Sequence, residues 1–300
     1  MANETLGEVE LAHRYADLGD VRLHYVEAGE GPLVSLLHDF PQFWYQWRHQ
    51  IPALVEAGFR VVAPDMRGYN LSDKPYGVGA YCVELLARDV ERLIRTCGKG
   101  TAVVVGHDWG AIAAWIAAMR HPGRVERLAI LNVPHPARLL DGLLSPGQLL
   151  RSSYTFFFQI PWLPEEVIRA GDFALLRFVF RSDPVQPEAL TAEDIERYIE
   201  AIARPGALNA TINYYRTLLR YPAGTRALLR RVDAPVLVIW GERDRFLSRR
   251  LAEPPPLWVP NLLGVKRLPD ASHWVAEDRP LEVNTLLLDF LRSPFVTLSR

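Results

Sequence analysis

One segment constrains the fold of this chain more than any other: the apolar run TAVVV, the turn GHDWG at residues 106–110 and the apolar stretch AIAAWIAAMR. A run of β-branched residues predicts a buried strand, and the longer apolar stretch after it predicts a helix. Gly106 and Gly110 permit a sharp strand-to-helix turn that presents the central side chain, Asp108, above a sheet. The segment therefore predicts parallel β-structure flanked by helices, with a carboxylate presented at the turn.

The rest of the chain repeats this alternation on both sides of a long interruption. Strand-like runs include VRLHYVEAG, LVSLL, RVVAP, RLAILNVP, APVLVIWG and VKRLP. Residues 138–228 are instead helical, aromatic and punctuated by proline, with a capping box predicted from Thr191 to Asp194. We predict an α/β core of residues 1–137 and 229–300, with a mostly parallel sheet, and an inserted helical cap of residues 138–228.

Charge and cysteine content narrow the class of partner. The 300 residues carry 34 basic and 35 acidic side chains, so no broad basic field attracts nucleic acid or an anionic membrane surface. Cys82 and Cys97 are too few for a disulfide framework or a multi-cysteine metal site. Since the sequence shows neither a secretion signal nor an apolar stretch that spans a bilayer, we expect a cytoplasmic protein that acts on small molecules.

Asp108 occupies the position from which such a turn presents a nucleophile. A carboxylate is ionised at neutral pH, so it needs no base to attack a saturated carbon and form an ester. A base is needed afterwards, to activate the water that hydrolyses the ester. The alternative is that Asp108 only caps the following helix, because acids are favoured at helix N-termini.

Two later segments supply the partners that this chemistry needs. Asp244 follows the strand VLVIW, and His273 follows the strand VKRLP. The order nucleophile, acid, histidine is typical of the α/β-hydrolase fold. We predict that His273 deprotonates the hydrolytic water and that Asp244 orients the imidazole and stabilises its charged form. A solvated turn and a surface histidine are the alternatives, and His107 is predicted to be structural.

The sequence resembles one family over essentially its whole length, the epoxide hydrolases of the α/β-hydrolase fold. The resemblance rests on GHDWG, HDFPQFWYQW, APDMRGYNLSDKP, SHW and GALNATINYYRTLLR. It implies hydrolysis of a small apolar epoxide to a vicinal diol through a covalent aspartyl ester. It also implies that Tyr154 and Tyr215 of the cap hydrogen-bond the epoxide oxygen, a role that suits neutral phenols. Tyr198 and Tyr214 are the alternatives for that role.

The resemblance also places an oxyanion hole at the backbone N–H groups of Phe40 and Trp109. The family usually has Gly where Asp39 and Asn70 stand. Gly permits backbone conformations that are costly to other residues, although Asn enters the left-handed region readily. A carboxylate at Asp39 is expected to oppose negative charge that develops on Asp108, so Asp39→Gly is predicted to speed hydrolysis of the ester.

Two other functions stay open. A haloalkane dehalogenase shares the fold and the aspartate nucleophile. Against it, Phe40 stands at the halide-donor position, LAILNVPHP offers no acid, and a halide needs no phenolic donors. A non-catalytic small-ligand receptor is the second alternative, because fold does not determine function.

Several properties are left open by the sequence. No metal or organic cofactor is expected, since the chain lacks H-E-x-x-H, a cysteine cluster and a phosphate-binding glycine loop. The identity of the epoxide, the stereochemistry of its opening, the biological role and self-association into a homodimer are not determined by these patterns.

Overall fold

The computed structural model describes residues 4–142, 144–221 and 228–294. Residues 1–3, 143, 222–227 and 295–300 of the predicted core and cap lie outside the described residues. The strands are β1 (Glu4–Leu6), β2 (Val9–Asp17), β3 (Arg22–Ala28), β4 (Leu33–Leu37), β5 (Arg60–Pro64), β6 (Ala102–His107), β7 (Val125–Leu131), β8 (Val236–Gly241) and β9 (Leu262–Leu268). Within the described ranges they form one sheet in the order β1-β2-β3-β5-β4-β6-β7-β8-β9.

Helices cover the sheet and fill the connections between strands. They are α1 (Gln50–Glu56), α2 (Val83–Thr96), α3 (Trp109–Arg120), α4 (Pro136–Gly142), α5 (Pro146–Arg151), α6 (Tyr154–Phe157), α7 (Leu163–Ser182), α8 (Ala192–Ala203), α9 (Ala207–Arg220), α10 (Val275–Asp278) and α11 (Pro280–Arg292). Single 3₁₀ turns occur at Trp44–His49, Val78–Tyr81 and Arg249–Leu251. None of the helices in the described ranges has the length and apolar character that crossing a bilayer requires.

The sheet is parallel from β5 to β9 and antiparallel at its N-terminal edge. β4 pairs in parallel with β5 and β6, and β6, β7, β8 and β9 follow in parallel. β1, β2 and β3 add antiparallel pairs at one edge. The prediction of a mostly parallel sheet flanked by helices is confirmed. It did not include β1 and β2, whose partly exposed residues lack the continuous apolar run of a central strand.

The two glycines of GHDWG are required by close packing at the turn between β6 and α3. A Cβ built on Gly110 would lie 2.2 Å from the carbonyl oxygen of Leu37, and one on Gly106 would lie 2.6 Å from the carbonyl oxygen of Gly110. The turn itself places Asp108 at φ 45° and ψ −117°, outside the regions that L-residues prefer. These two contacts explain why small residues flank the central position.

Helices α4 to α9 connect β7 to β8 and occupy the region predicted as the cap. The predicted capping box is present: the Thr191 hydroxyl accepts from the Asp194 N–H at 3.1 Å, and the Asp194 carboxylate accepts from the Thr191 N–H at 2.9 Å. α7 consists of two helical pieces, because residues 170–173 have non-helical dihedral angles. The standing of this region as a separate domain remains a prediction.

Candidate active site

A cavity of about 200 Å³ lies where the carboxyl ends of the parallel strands meet helices α6, α7 and α9. Its polar lining comes from Asp39, Asp108, Tyr154, Tyr215 and His273. The rest of the lining is apolar: Phe40, Pro41, Phe157, Phe158, Ile168, Leu175, Leu176, Val179, Phe246 and Trp274. An apolar cavity into which a few polar groups converge is the usual form of a small-molecule site.

Asp108 directly follows β6, and its carboxylate accepts a hydrogen bond from the backbone. The Phe40 N–H donates to Oδ2 of Asp108 at 3.4 Å. α3 begins at Trp109, so its first N–H groups have no partner within the helix. The Phe40 N–H thus contacts the carboxylate, while the oxyanion-hole role of the Trp109 N–H, directly after Asp108 in the chain, stays a prediction.

His273 joins the other two members of the predicted triad. Its Nδ1 lies 2.8 Å from Oδ2 of Asp244, and its Nε2 lies 3.9 Å from Oδ1 of Asp108. Asp108, Asp244 and His273 follow β6, β8 and β9, whose carboxyl ends lie along one edge of the sheet. Parallel pairing thus brings together three residues that are far apart in sequence.

Asp244 is oriented by backbone groups and by a residue that the sequence analysis missed. Its Oδ1 accepts from the N–H groups of Phe246 at 2.7 Å and Leu247 at 2.8 Å. Its Oδ2 accepts from Nδ2 of Asn132 at 2.8 Å, and Oδ1 of Asn132 accepts from the Gly241 N–H at 2.8 Å. Asn132 follows β7 at φ 49°. The segment LNVP contains no acid, but its Asn132 supplies a hydrogen bond to Asp244.

Removing the Asn132 amide is expected to loosen the triad and the fold together. Asn132→Gly keeps the backbone freedom but loses both hydrogen bonds, which is expected to lower the free energy of unfolding by about 3 kcal/mol and to slow turnover. Asn132→Ala is expected to cost about 1 kcal/mol more, since Ala is strained at positive φ. Chemical denaturation of both variants measures the difference. Equal stability of Asn132→Gly and the wild type would contradict the proposed anchoring of Asp244.

The His273 imidazole titrates well above the usual range of histidine. Burial disfavours its charged form, but the carboxylates of Asp244, Asp108 and Asp183 outweigh burial and raise its pKa to about 9. His273 is therefore an imidazolium at neutral pH while Asp108 carries its charge. Neutralising Asp108 removes one of the three stabilising charges, which lowers the pKa of His273.

Because the pKa of His273 is raised, the fold is expected to lose stability as the pH rises. Between the unfolded value of 6.5 and the folded value of about 9, the folded chain holds a proton on His273 that the unfolded chain has lost. The contribution of His273 to stability is therefore complete below about pH 6.5 and is lost as the pH rises to about 9. Urea denaturation across this window is expected to show the wild type losing stability relative to His273→Gln. If the free energy of unfolding changed with pH in the same way in both proteins, His273 would not be charged in the folded chain.

His107 is structural, as predicted. Its Nε2 lies 2.8 Å from the His273 carbonyl oxygen, which can only accept, so Nε2 carries the proton. Its Nδ1 then accepts from Nε2 of Gln46, at 2.6 Å. Burial and the neighbouring His273 lower the pKa of His107 well below its usual value, so the ring is neutral.

One group of potential metal ligands occurs among the described residues. Asp39, His107 and His273 each place a ligand atom within 4.8 Å of the others. Because the lone pair of His107 Nδ1 already accepts from Gln46, that nitrogen is not free to bind a metal. His107 is therefore not available as the third ligand of a metal at this place.

The two predicted cap tyrosines line the cavity, and the two alternatives do not. The rings of Tyr154 and Tyr215 lie 5.6 Å apart. Burial and the charge of Asp108 raise the pKa of both phenols, which keeps them neutral hydrogen-bond donors. The Tyr214 hydroxyl instead donates to the Arg67 carbonyl oxygen at 2.7 Å, and the Tyr198 hydroxyl accepts from Arg48 at 3.0 Å.

Asp39 and Asn70, which stand where the family usually has Gly, differ in the sign of their backbone φ angle. Asn70 has φ 37°, so the prediction that Asn tolerates this turn is confirmed. Asp39 does not have a positive φ, and the expected backbone cost at that position is absent. Its N–H donates to Oε1 of Gln46 at 2.8 Å, which holds the loop after β4 in an ordinary conformation.

Comparison with known proteins places this site in a family. A family model for the alpha/beta hydrolase fold matches residues 32–280. The human protein Epoxide hydrolase 4 is 39% identical over 289 residues, which cover 93% of this chain and 79% of that protein. The chain belongs to the epoxide hydrolase family. This membership confirms the resemblance of the sequence and classes the chain as a hydrolase.

Two further proteins match over nearly their full length. The AB hydrolase superfamily protein YfhM of Bacillus subtilis is 42% identical over 93% of this chain and 98% of its own length. The crystal structure of a Bacillus megaterium epoxide hydrolase in complex with an inhibitor superposes with a TM-score of 0.83. At 32% identity, it covers 93% of this chain and all of that one. The α/β-hydrolase fold thus extends over both the core and the helices between β7 and β8.

Proposed function

We propose that this chain is an epoxide hydrolase that adds water to an epoxide through a covalent ester on Asp108. One observation carries the proposal: the carboxylate of Asp108, the imidazole of His273 and the phenols of Tyr154 and Tyr215 border the same apolar cavity. Behind the imidazole, Asp244 lies 2.8 Å from Nδ1 of His273. Membership of the epoxide hydrolase family supports the same reaction. The helices α4 to α9 act as the cap that closes the site.

In the first step a carboxylate oxygen of Asp108 attacks a ring carbon of the epoxide. The ring carbon–oxygen bond breaks, and its electron pair moves to the oxygen as an alkoxide. Tyr154 and Tyr215 donate hydrogen bonds to that oxygen, and their neutral state in the buried cavity suits this role. One of the two phenols passes its proton to the alkoxide, and the proton that the His273 imidazolium gives up as the charge of Asp108 disappears restores that phenol. The products of the step are an ester on Asp108, a hydroxyl on the adjacent carbon and a neutral imidazole at His273.

In the second step His273 activates the water that hydrolyses the ester. Formation of the ester removes the charge of Asp108, so the pKa of His273 falls and the imidazole becomes a base. Water attacks the carbonyl carbon of the ester, and the oxyanion lies against the N–H groups of Phe40 and Trp109. The ester bond then breaks, His273 returns the proton to the departing oxygen, and the diol is released.

The cavity sets the class of substrate. Its apolar lining, mostly from the loop after β4 and helices α6 and α7, suits an epoxide with apolar substituents. Its volume of about 200 Å³ suits a small molecule. We retain from the sequence the proposals of a cytoplasmic location and of no cofactor requirement.

The proposal is tested by incubating the wild type with styrene oxide and, in parallel, with 1-bromobutane. We expect phenylethanediol from the first and no bromide release from the second. Bromide release without diol formation would favour the dehalogenase. Saturable binding of styrene oxide without turnover would favour a ligand receptor.

Removing either cavity phenol is expected to slow ring opening. Tyr154→Phe and Tyr215→Phe should each reduce the rate of Asp108 ester formation by about 10- to 100-fold, because one donor to the developing alkoxide is lost. Tyr214→Phe is the matched control, since its hydroxyl bonds to the Arg67 carbonyl and not to the cavity. It should cost about 1 kcal/mol of stability with an unchanged rate. Rapid-quench measurement of the ester distinguishes these outcomes, and equal rates in all three variants would contradict the phenol role.

A further inference from the structure

Asp39 is a buried carboxyl group of the cavity to which the mechanism above gives no role. Its side chain is fully buried, and neither of its oxygens has a hydrogen-bond partner among the described residues. Oδ2 of Asp39 lies 3.7 Å from Nε2 of His273, the nitrogen that acts as the base. The same nitrogen lies 3.9 Å from Oδ1 of Asp108. Two carboxyl groups thus lie within 4 Å of the nitrogen that acts as the base.

A buried carboxyl without partners costs free energy unless something satisfies it. Such groups are usually paired with protein groups or with an ordered water that makes about three hydrogen bonds. A water against His273 Nε2 would have Asp39 beside it and would face the carbonyl carbon of an Asp108 ester. This is the position that the second step of the reaction requires.

The charge state of Asp39 decides whether it helps or hinders that step. Burial and the adjacent charge of Asp108 raise its pKa well above the usual value, which favours the neutral acid over the carboxylate. The charge of Glu277 acts in the same direction. A neutral acid does not repel the oxyanion, and its carbonyl oxygen can accept a hydrogen bond from water. This environment disfavours the ionised carboxylate that the sequence prediction for Asp39→Gly assumes.

We propose that Asp39 positions the hydrolytic water of the Asp108 ester against Nε2 of His273. This inference rests on the proposed function. The water donates one hydrogen to Nε2 and the other to Asp39, which directs a lone pair toward the ester carbon. As the water attacks, one proton moves to His273 and then to the departing diol oxygen, while Asp39 keeps its own proton.

The test separates the two chemical steps in Asp39→Gly and Asp39→Asn, with styrene oxide as the substrate. Asp39→Gly is expected to form the Asp108 ester within about threefold of the wild-type rate. It should hydrolyse that ester about 10- to 100-fold more slowly, because the water is no longer oriented. Asp39→Asn has nearly the same shape and keeps a carbonyl acceptor, so it is expected to restore hydrolysis to within about fivefold. Rapid-quench mass spectrometry of the Asp108 peptide gives both rates.

Three results would overturn the inference. Hydrolysis by Asp39→Gly at or above the wild-type rate would mean that Asp39 has no role or opposes the oxyanion. Equal slowing of both steps would indicate a structural effect, and an Asp39→Asn variant as slow as Asp39→Gly would exclude the acceptor role. Ester formation in His273→Gln is measured alongside. If that ester forms, any of these three results contradicts the role of Asp39 but not the proposed function. If no ester forms, both the proposed function and this inference are wrong.

Discussion

Replacement of His273 by Gln is expected to stop turnover while leaving ring opening intact. The first step needs only the Asp108 carboxylate and the phenolic donors, none of which this substitution removes. The second step needs a base at Nε2, and Gln cannot accept the proton from water. Loss of a positioned base typically costs about 10²- to 10⁴-fold, so hydrolysis becomes slower than ester formation and the alkyl-enzyme accumulates.

Intact-protein and peptide mass spectrometry after incubation with styrene oxide measures this result. One adduct per chain is expected, located on the peptide that contains Asp108. His121→Gln is the matched control, because His121 lies at the C-terminal end of α3 and Asp108 lies at the other end. This variant should show no adduct at steady state. Full turnover by His273→Gln would show that His273 is not the base. An adduct on another residue would reassign the nucleophile.

Replacement of Asp108 is expected to give the larger loss, because both steps depend on it. Removing the nucleophile of a covalent mechanism costs on the order of 10⁴-fold or more. Asp108→Gly suits the backbone better than Asp108→Ala, since the position has φ 45°. The Gly variant should therefore be inactive and more stable than the Ala variant. An inactive but stably folded Gly variant would show that activity is lost because the nucleophile is missing and not because the chain unfolds.

The double variant Asp108→Gly with His273→Gln sharpens this test. Residues that act in one mechanism show strongly non-additive losses. We expect the double variant to turn over styrene oxide no more slowly than Asp108→Gly alone and to form no adduct. Multiplicative losses would mean that the two residues act independently, which would contradict the two-step mechanism.

Much of the fold and of the reacting groups could be predicted from the sequence, because local physics determines them. Gly106 and Gly110 signal a tight turn whatever surrounds it, and their closest backbone contacts show why. The β-branched runs specify the central parallel strands. Their chain order then brings Asp108, Asp244 and His273 to one edge of the sheet. The capping box at Thr191 is equally local and was also predicted.

The supporting groups could not be predicted, because they depend on contacts between distant segments. Nothing local to LNVP indicates that Asn132 bonds to Asp244, 112 positions further along the chain. The family resemblance favoured Tyr215 and left Tyr214 as the alternative, and the fold shows that Tyr215 is the one that lines the cavity.

The protonation state of Asp39 is the clearest case of a property that only the tertiary structure decides. In the sequence it is an ordinary acid, expected to be ionised and to oppose the reaction. Complete burial beside Asp108 raises its pKa and favours the neutral form instead. The sequence determined which atoms react; packing determined how they are held and charged, because distance and solvent exclusion are set by segments that meet only in the folded chain.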